Sequence, residues 1–538
     1  MTALRKHSTL LIVGAIAILG IIAYINALPN KMFYDDDQGI VNNAYIKDWQ
    51  NFPKFFSQDL TAGSGFPSNY WRPMLLITYS IEWHIWGNWA PGFHAVNILF
   101  HIANAILIFL ILYYLFSARA PAAIAALIFT IHPLQTESIT YVSGLGDPLS
   151  LFFMLLATYW FIRVRYNEPT MSRRSFWLNY SAIFVSFILA LITKERSIIF
   201  PGIILLTDVI IWKVRESLSV PFWTFVKRSA VRFAPFALLS VGYFALRNTV
   251  LLNIQNSPSS YEVPASYAAH IIERIITFLQ VVPTYFSLIF VPIGLHMERS
   301  EEVGVVNTFL NPSVLIGAGI ILALGLIAFY TWKKHPAYTF GFLWSAIMMF
   351  PASGIVVPVA GILYEHYLYA PLAGIAFIIG LAGYDIYEKM KSRSARISLA
   401  SAGAIAVVLL TGQTIHQNNY WKDPITFYTE TLKYVPHDSR MFNNLGLSYE
   451  NDGDFKDAEE AYHSAILANP AAPMAYHNLG NLYYRTGKLD EAIKEYRAAI
   501  ALSPGSFLPY QALYRLYLDK NEPENAAQVM REFQSYSR

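Results

Sequence analysis

The chain contains no cysteine and little charge. Without cysteine it cannot form a disulfide, and a thiolate nucleophile and a cysteine-ligated metal site are both excluded. Only 14% of the 538 residues are charged, whereas soluble domains have about 25%. The deficit lies in residues 1–415, which form a series of long apolar runs, while residues 416–538 have the composition of a polar helical domain. We therefore predict an all-α protein with two domains, 1–415 in a membrane and 416–538 outside it.

The apolar runs predict a polytopic bundle of transmembrane helices. A helix needs about 20 residues to cross a hydrocarbon core of ~30 Å at 1.5 Å per residue, and the first run is an uncharged stretch of that length. The same criterion predicts about eleven spans, at residues 9–28, 93–116, 119–137, 148–163, 176–193, 197–213, 231–251, 312–332, 338–359, 363–385 and 396–415.

The orientation of these spans is predicted by Lys and Arg in the short loops, because positively charged loops stay in the cytoplasm. Arg5 and Lys6 place the N-terminus there. The later basic loops fall on the same side only if residues 271–293, which include Glu273 and two prolines, do not cross, so we interpret them as an interfacial or re-entrant hairpin. The segment 29–92 and the C-terminal domain then face the outside or a lumen. The absence of an ER-retention signal and the compact architecture favour a prokaryotic cell membrane.

The C-terminal domain contains an internal repeat. The sequence "NNLGLSYENDGDFKDAEEAYHSAILANP" recurs 34 residues later as "HNLGNLYYRTGKLDEAIKEYRAAIALSP". This period, with small and aromatic residues at fixed offsets, indicates tetratricopeptide repeats, which stack into a solenoid with an extended concave binding surface. We expect Asn444, Tyr449 and Asn478 to line this surface and to hold an acceptor peptide. The alternative is that they are polar faces of stacked helices.

Acidic and basic residues gather at the predicted outer ends of the spans. Asp35 and Asp36 stand side by side just after the first span, where a bare loop gains nothing from adjacent like charges. A neighbouring negative charge raises the pKa of a carboxyl group and makes it a better general base for an alcohol. Further segments contribute candidates for binding a phosphate or a sugar, which are Arg72, His132, Glu137, Lys194, Glu195, Arg196, Arg247, Tyr364, Glu365 and His366.

Together these residue types predict transfer from a lipid phosphate. Asp35 or Asp36 would take the proton of an incoming hydroxyl, and the cations would stabilise the departing phosphate. Structural interpretations stay open for some candidates: His132 as a helix C-cap, residues 194–196 as a solvated loop and Asp37 as a helix N-cap. No cofactor is required by the sequence, although hard carboxylates suit Mg²⁺ or Mn²⁺, for which Asp35 and Asp36 are the candidate ligands.

Five motifs in order carry a family resemblance. They are "DDDQGIVNN", "WRPMLLIT" with "GFHAVNILFH", "HPLQTESI", "TKE" and "EHYLYAP", followed by the repeats. In these the chain resembles the transmembrane-and-tetratricopeptide O-mannosyltransferases of the glycosyltransferase C superfamily. The resemblance implies a bundle of that superfamily's type with Asp35 and Asp36 at the paired-aspartate positions. It also implies a polyprenyl- or dolichyl-phosphate sugar, such as mannose, as the donor and Ser or Thr hydroxyls of proteins as acceptors.

Two positions depart from that family's pattern. Where the family has Gly-Arg-Ala followed by an acid, this chain reads Gly144-Leu145-Gly146-Asp147, and the family's arginine after Glu365 is His366 here. If those arginines hold the donor phosphate, Arg72, Arg196 or Arg247 must compensate, and the sugar or the acceptor differs from the family's.

Other functions stay open at this point. One is a transferase that acts on a glycan or a lipid instead of a protein. Another, from a different class, is a non-enzymatic membrane anchor whose repeats recruit partners. An anchor needs neither the aspartates nor the convergent cations, so we favour the enzyme. A transporter is disfavoured, because the halves show no inverted repeat, and no nucleic-acid partner is expected.

Overall fold

The computed structural model describes residues 3–66, 68–167, 170–217, 219–249, 265–299, 303–359 and 361–536. Within these ranges the chain is all-helical, with twenty-two α-helices, short 3₁₀ or π turns and no β-strand, which confirms the predicted fold class. The chain divides into two compact units, Met1–Trp421 and Lys422–Arg538. This boundary lies beyond residue 415 because the last helix of the first unit continues to Asn418 and closes with a 3₁₀ turn.

Unit 1, Met1–Trp421, is the larger of the two. Its described part contains α1 (Ala3–Tyr24), α2 (Pro73–Trp86), α3 (Ala90–Phe116), α4 (Arg119–Ile131), α5 (Thr136–Ile139), α6 (Gly146–Asn167), α7 (Arg173–Thr193), α8 (Phe200–Ile211), α9 (Phe222–Thr249), α10 (Ala265–Ala269), α11 (Ile271–Phe290), α12 (Pro312–Lys334), α13 (Pro336–Met349), α14 (Leu372–Lys389) and α15 (Arg393–Asn418). Helices α1, α4 and α15 end, and α6 and α14 begin, at one and the same end of unit 1. We call it the site end.

Nine helical segments in the described ranges are long and apolar enough to cross a membrane, or ten if α4 and α5 form one bent span. The chain is therefore a multi-pass membrane protein. The 55° bend between α4 and α5 falls at Pro133, because a residue before proline is disfavoured in the helical conformation. Two predicted spans do not qualify, since α13 has only 14 residues and α14 carries three charged residues near its end. The end of the predicted span 231–251 lies outside the described residues, as do the side chains of Arg5 and Lys6.

The predicted hairpin at 271–293 is wrong, because α11 is one continuous helix through Pro283. Both of its ends nevertheless lie at the site end. His132 at the end of α4 bonds to the Ile289 carbonyl oxygen (3.0 Å), and Tyr267, just before α11, packs against Gly354, just after α13. Although α11 passes the length and hydropathy test, these contacts place it along the site end.

Helices α13 and α14 are antiparallel and cross closely through two glycines. A Cβ added at Gly341 would stand 2.7 Å from the Gly374 carbonyl oxygen, and one added at Gly374 would stand 2.5 Å from Ser345 Oγ. At the site end the Trp344 indole donates to the Ala370 carbonyl oxygen (3.1 Å). Small residues permit this approach where apolar burial contributes little, as between membrane helices. The crossing holds the segment before α14, which carries several candidate residues.

Unit 2, Lys422–Arg538, consists of stacked helix pairs. Its helices are α16 (Pro424–Leu432), α17 (Ser439–Asp452), α18 (Phe455–Ala468), α19 (Pro473–Arg485), α20 (Leu489–Leu502), α21 (Phe507–Asp519) and α22 (Pro523–Tyr536). The rings of Tyr462 and Tyr496 pack on Gly446 and Gly480, where an added Cβ would stand 2.7 Å from the ring. The 34-residue period thus corresponds to two helices per repeat, with glycine and tyrosine closing each pair.

The glycine crossing generates a prediction about stability. Gly374→Ala should destabilise the chain by about 1–3 kcal/mol, because the new methyl group meets packed atoms of α13. The matched control in the same helix is Gly383→Ala, which meets open space and should be neutral or slightly stabilising. The measurement is the thermal unfolding midpoint of the detergent-solubilised full chain. Equal shifts in the two variants would contradict the close crossing.

Candidate active site

A buried irregular segment between α4 and α6 forms the floor of the site end. Every residue from 129 to 142 is buried, although the helix is broken at 132. Buried backbone groups outside a helix need other partners, and side chains provide them. The Asn97 amide lies within 3.3 Å of the carbonyl oxygens of Ile139, Tyr141 and Val142. Asn418 accepts the Thr140 hydroxyl bond at 2.7 Å.

The segment presents Ser143 to Asp36, the second of the candidate aspartates. Asp36 accepts hydrogen bonds from the Ser143 amide (2.8 Å), from the Ser143 hydroxyl (2.5 Å) and from the Phe33 amide (3.3 Å). Gly144 allows the tight turn that follows, because a Cβ there would stand 2.7 Å from the Ser138 carbonyl oxygen. Asp36 is only 1% exposed. Both of its oxygens are thus occupied by groups of the protein itself.

Asp35 points the other way and is exposed. Its backbone amide donates to the Tyr141 hydroxyl at 3.1 Å. The preceding residue, Tyr34, has φ of 63°, a left-handed conformation that is rare for a bulky residue. This turn is what lets two adjacent carboxyl groups face in different directions. Asp37 is the first residue of the helical turn Asp37–Val41 and not its N-cap.

Burial raises the pKa of the Asp36 carboxyl to about 7, although its bonds from Ser143 and Phe33 act in the opposite direction. The nearby charge of Asp35 adds to the increase in the pKa. The sequence predicted a raised pKa from the adjacent charge, whereas in the structure desolvation is the main cause.

Three of the candidate residues form one ion-paired group. Glu195 receives two bonds from Arg72, Nε to Oε2 at 3.1 Å and Nη2 to Oε1 at 2.7 Å. Arg247 lies 3.8 Å from the same carboxylate. A two-bond arginine–carboxylate pair has a defined geometry. Glu195 therefore holds both arginines at the edge of the site, and it is not itself available to a sugar.

The neighbouring residues of the "TKE" motif differ in how they are paired. Lys194 is buried and lies 2.6 Å from Asp147 at the start of α6, so it is not part of a solvated loop. Arg196 places its guanidinium over the Tyr367 ring, 4.0 Å from the centroid. Among the residues that the structure describes, Arg196 forms no ion pair with a carboxylate. It is therefore the candidate arginine with charge still available for an anion.

Tyr70 lies near Asp35 and the cations of the site end. Tyr70 is 42% exposed, so only part of its ring is desolvated. This partial desolvation raises the pKa of its phenol, on which the charges of Arg72, Glu195, Asp35 and Arg196 also act. The Arg72 guanidinium also lies over the Tyr70 ring, with 4.3 Å between Arg72 Cζ and the ring centroid. Asp35, Arg72 and Arg196 are therefore all close enough to Tyr70 for their charges to act on its pKa.

His366 is joined to the buried segment by a second carboxylate. Its Nδ1 lies 2.6 Å from Glu137, and its backbone amide donates to the same carboxylate at 2.9 Å. The Tyr364 ring stacks on the imidazole with centroids 5.2 Å apart. Because Nδ1 donates its hydrogen bond to Glu137, the other ring nitrogen of His366 is directed away from this pair. His366 and Arg196 both contact Tyr367.

Two predicted site residues have structural partners instead. Glu365 is buried and accepts bonds from the His296 amide and from Arg299, both at 2.8 Å, and burial raises its pKa to about 8 in spite of Arg299. His132 is the C-cap residue of α4 and bonds to α11. Neither side chain is directed at the space around Tyr70.

Sequence reasoning missed the residues that hold the aspartates. Asn97, Tyr141, Ser143 and Asn418 all contact the loop or the segment beneath it. A polar residue such as Asn97 within an apolar run was the available signal, because a polar group in a membrane helix needs a partner. Tyr141 and Ser143 carried no such signal, since both are common beside a span.

The structure also bears on the candidate metal ligands. No group of three or more His, Asp or Glu side chains in the described ranges could hold a metal ion. Asp36 is surrounded by donors from Ser143 and Phe33, and only Asp35 has an accessible carboxylate. One open carboxylate is too small a ligand set for Mg²⁺ or Mn²⁺. These residues do not fit a resident metal, and no step is routed through one.

In unit 2 two of the predicted peptide-binding residues, Asn444 and Asn478, are linked through Asn443, whereas Tyr449 packs partly against the hydrophobic core. The Asn478 amide donates to Asn443 Oδ1 at 2.9 Å, and the Asn443 amide lies 3.4 Å from Asn444 Oδ1. Tyr449 is half-buried in the same helix as Asn444. The asparagines thus connect the first helices of two successive repeats, and part of each side chain is still accessible.

Fold and site define a multi-pass helical membrane protein with a polar site at one end and a second unit of helical repeats. A family model described as tetratricopeptide repeat matches residues 428–507. The chain is 24% identical over 462 residues to the protein O-mannosyl-transferase F38B6.6 of Caenorhabditis elegans, which covers 84% of this chain and 62% of that protein. It is 23% identical to the protein O-mannosyl-transferase TMTC3 of Homo sapiens, covering 87% of this chain and 52% of that protein. These comparisons confirm the resemblance to the transmembrane-and-tetratricopeptide O-mannosyltransferases.

The chain spans about half to two thirds of the length of these curated relatives. A solved oligosaccharyltransferase of Archaeoglobus fulgidus, bound to an acceptor peptide, is 13% identical with a TM-score of 0.44, covering 81% of this chain and 58% of that one. The crystal structure of the MamA protein is 21% identical with a TM-score of 0.20, covering 29% and 90%. Both TM-scores lie below 0.5, so these likenesses assign neither fold nor function.

The raised pKa of Asp36 predicts a pH dependence of stability. Between about pH 4 and 7 the folded chain holds a proton on Asp36 that the unfolded chain has lost, so the stability of the wild type should decrease as pH rises through this range and level off above it. Asp36→Asn has no such proton, and its unfolding midpoint should decrease less. Scanning fluorimetry of both proteins across this range provides the measurement. Parallel curves throughout would show that Asp36 is not buried as described.

Proposed function

We propose that the chain is an integral membrane glycosyltransferase that moves a sugar from a polyprenyl-phosphate donor to Ser or Thr hydroxyls of proteins. The observation that carries this proposal is that the exposed residue Asp35 and the arginines Arg72 and Arg196 lie at the same end of a multi-pass bundle, where the charges of all three act on Tyr70. Transfer from a lipid phosphate to an alcohol needs a base and a fixed positive charge. The names of the similar proteins support mannose as the sugar and protein as the acceptor.

Asp35 is the general base in this proposal, and Asp36 positions it. The carboxylate of Asp36 is enclosed by Ser143 and Phe33 and cannot reach a substrate hydroxyl. Asp35 is exposed and its backbone is held by Tyr141. Asp35 takes the hydroxyl proton while the oxygen bonds to the sugar carbon. The bond from that carbon to the phosphate breaks, and the phosphate leaves with the electron pair, with inversion at carbon.

Arg196 is the residue that would hold the leaving phosphate. Arg72, Arg247 and Lys194 already face carboxylates of the protein, whereas Arg196 stacks on Tyr367 and forms no ion pair among the described residues. His366 lies against the same Tyr367 ring and would add a second donor through its outer ring nitrogen. This pair would take the place of the two arginines that the family has and this chain lacks.

The site end would face the outside of the cell or a lumen. The ends of α6, α12 and α14 that are remote from the site carry Arg163, Arg165, Lys333, Lys334 and Lys389. Positively charged ends stay in the cytoplasm, so the aspartates lie on the opposite side. The last helix of unit 1 ends at the site end, which supports the proposal that the repeats lie on that side of the membrane as well. A prokaryotic cell membrane is the location that we favour.

The repeats would supply the protein acceptor. The connected amides of Asn443, Asn444 and Asn478 suit an extended peptide, because an asparagine amide can both donate to and accept from a peptide backbone. A glycan or lipid acceptor, and a scaffold without activity, are the alternatives that the experiments below separate from this function.

Deletion of the gene should remove hexose from Ser and Thr residues of exported proteins, as measured by mass spectrometry. Re-expression of the wild type should restore the hexose, and Asp35→Asn should not, because an amide cannot take the hydroxyl proton. The control is Asp37→Asn, the next acid along the chain, which should restore it. Full restoration by Asp35→Asn would reject this enzyme mechanism. If hexose is lost only from a glycan or only from a lipid, then the acceptor is that glycan or lipid and not a protein.

Arg196→Gln should raise the KM for the lipid-phosphate donor and lower kcat, with a loss of about 10²- to 10³-fold in kcat/KM, because a fixed positive charge at the leaving group is removed. The control is Lys31→Gln, an exposed cation of the same end, which should change neither. Steady-state transfer to a Ser- or Thr-containing peptide provides both constants. An unchanged donor KM would place the phosphate elsewhere.

A further inference from the structure

The last turn of unit 1 packs directly on the residues that hold Asp35. Trp421 stacks on Tyr141 with ring centroids 5.2 Å apart and planes 26° apart. Phe33 lies on Trp421 with centroids 6.4 Å apart. Trp421 is 4% exposed and Tyr141 is 7% exposed. Trp421 is more than 380 positions from the aspartates in sequence, so this contact is a product of the tertiary structure alone.

Tyr141 connects this stack to the reacting group. Its hydroxyl accepts the backbone amide of Asp35 at 3.1 Å, and its ring lies 6.4 Å from that of Tyr34. Tyr34 has the left-handed φ of 63°. Such a conformation costs free energy and persists only when the surrounding structure holds it in place. The ring of Tyr141 is therefore one of the supports that keep the Asp35 carboxylate turned outward.

The backbone beneath Tyr141 is fixed independently of Trp421. Asn97 binds the Tyr141 carbonyl oxygen (3.0 Å), and Asn418 binds the Thr140 hydroxyl (2.7 Å). Asn418 also donates to the Ala23 carbonyl oxygen (2.8 Å) at the end of α1. With the backbone held in this way, the remaining freedom of Tyr141 is the direction of its ring, and Trp421 occupies the space into which that ring would turn.

We propose that Trp421 and Tyr141 are positioning residues for Asp35 in the transfer reaction. The expected effect on the reaction rate rests on the proposed function. The expected effect on the conformation of the Asp35 turn rests on geometry alone. Trp421 is also the residue after which the chain enters the repeat unit at Lys422.

The kinetic test uses the full chain and three substitutions. Trp421→Ala and Tyr141→Phe should each lower kcat by about 10- to 100-fold through a misplaced base, with the donor KM nearly unchanged. Trp421→Phe keeps a ring for stacking and should recover most of the activity. The control is Tyr420→Ala, which removes the adjacent ring that contacts His416 instead. A rise in donor KM without a change in kcat, or no recovery by Trp421→Phe, would overturn the proposal.

A second test does not depend on activity. Because the chain has no cysteine, Asp35→Cys provides a single labelling site for a nitroxide, whose mobility is read from its spectrum. Adding Trp421→Ala should make the label more mobile by releasing the turn, and adding Tyr420→Ala should not. An unchanged spectrum would overturn the inference even if activity falls. If Trp421→Ala makes the label more mobile but the wild-type chain shows no transferase activity, the positioning role is kept and only the proposed reaction is rejected.

Discussion

The site end depends on one constraint, which is that the polar backbone of a buried, irregular segment must be satisfied by side chains. The helix breaks at His132, and the chain stays buried to Val142. Asn97 and Asn418 pair with groups of this segment from two sides. In a membrane bundle an unsatisfied backbone group costs several kcal/mol. Once those partners are in place, the residues that follow have little freedom, and Ser143 meets Asp36.

The same constraint separates the roles of two neighbouring carboxyl groups. Asp36 is taken into the protein, where burial raises its pKa to about 7, while Asp35 is left exposed. The cations are divided in a similar way. Glu195 pairs with Arg72 and Arg247, whereas Arg196 stacks on the Tyr367 ring. Pairing most of the charges avoids the cost of burying them alone, and it leaves Asp35 exposed and Arg196 without a carboxylate partner among the described residues.

Much of the architecture was accessible to sequence reasoning, for physical reasons that differ between the two units. Apolar runs of membrane length and a 34-residue repeat are local patterns, and the helical fold and the repeats they predict are confirmed. The errors concern where one helix ends and how another one lies. The span at 338–359 stops at Met349, and 271–290 is a continuous helix along the site end. Hydropathy reports how apolar a run is, not the direction in which it lies.

The sequence by itself determined which residue types are present at the site end and that they border membrane helices, because composition, spacing and charge bias are properties of short stretches. Only the tertiary structure decided which candidates are paired. Glu365 with Arg299, His366 with Glu137 and Trp421 with Tyr141 are contacts between distant parts of the chain. Their formation depends on helix crossings such as that at Gly374, and the free energy of a buried charge depends on its neighbours in space and not on its neighbours in sequence.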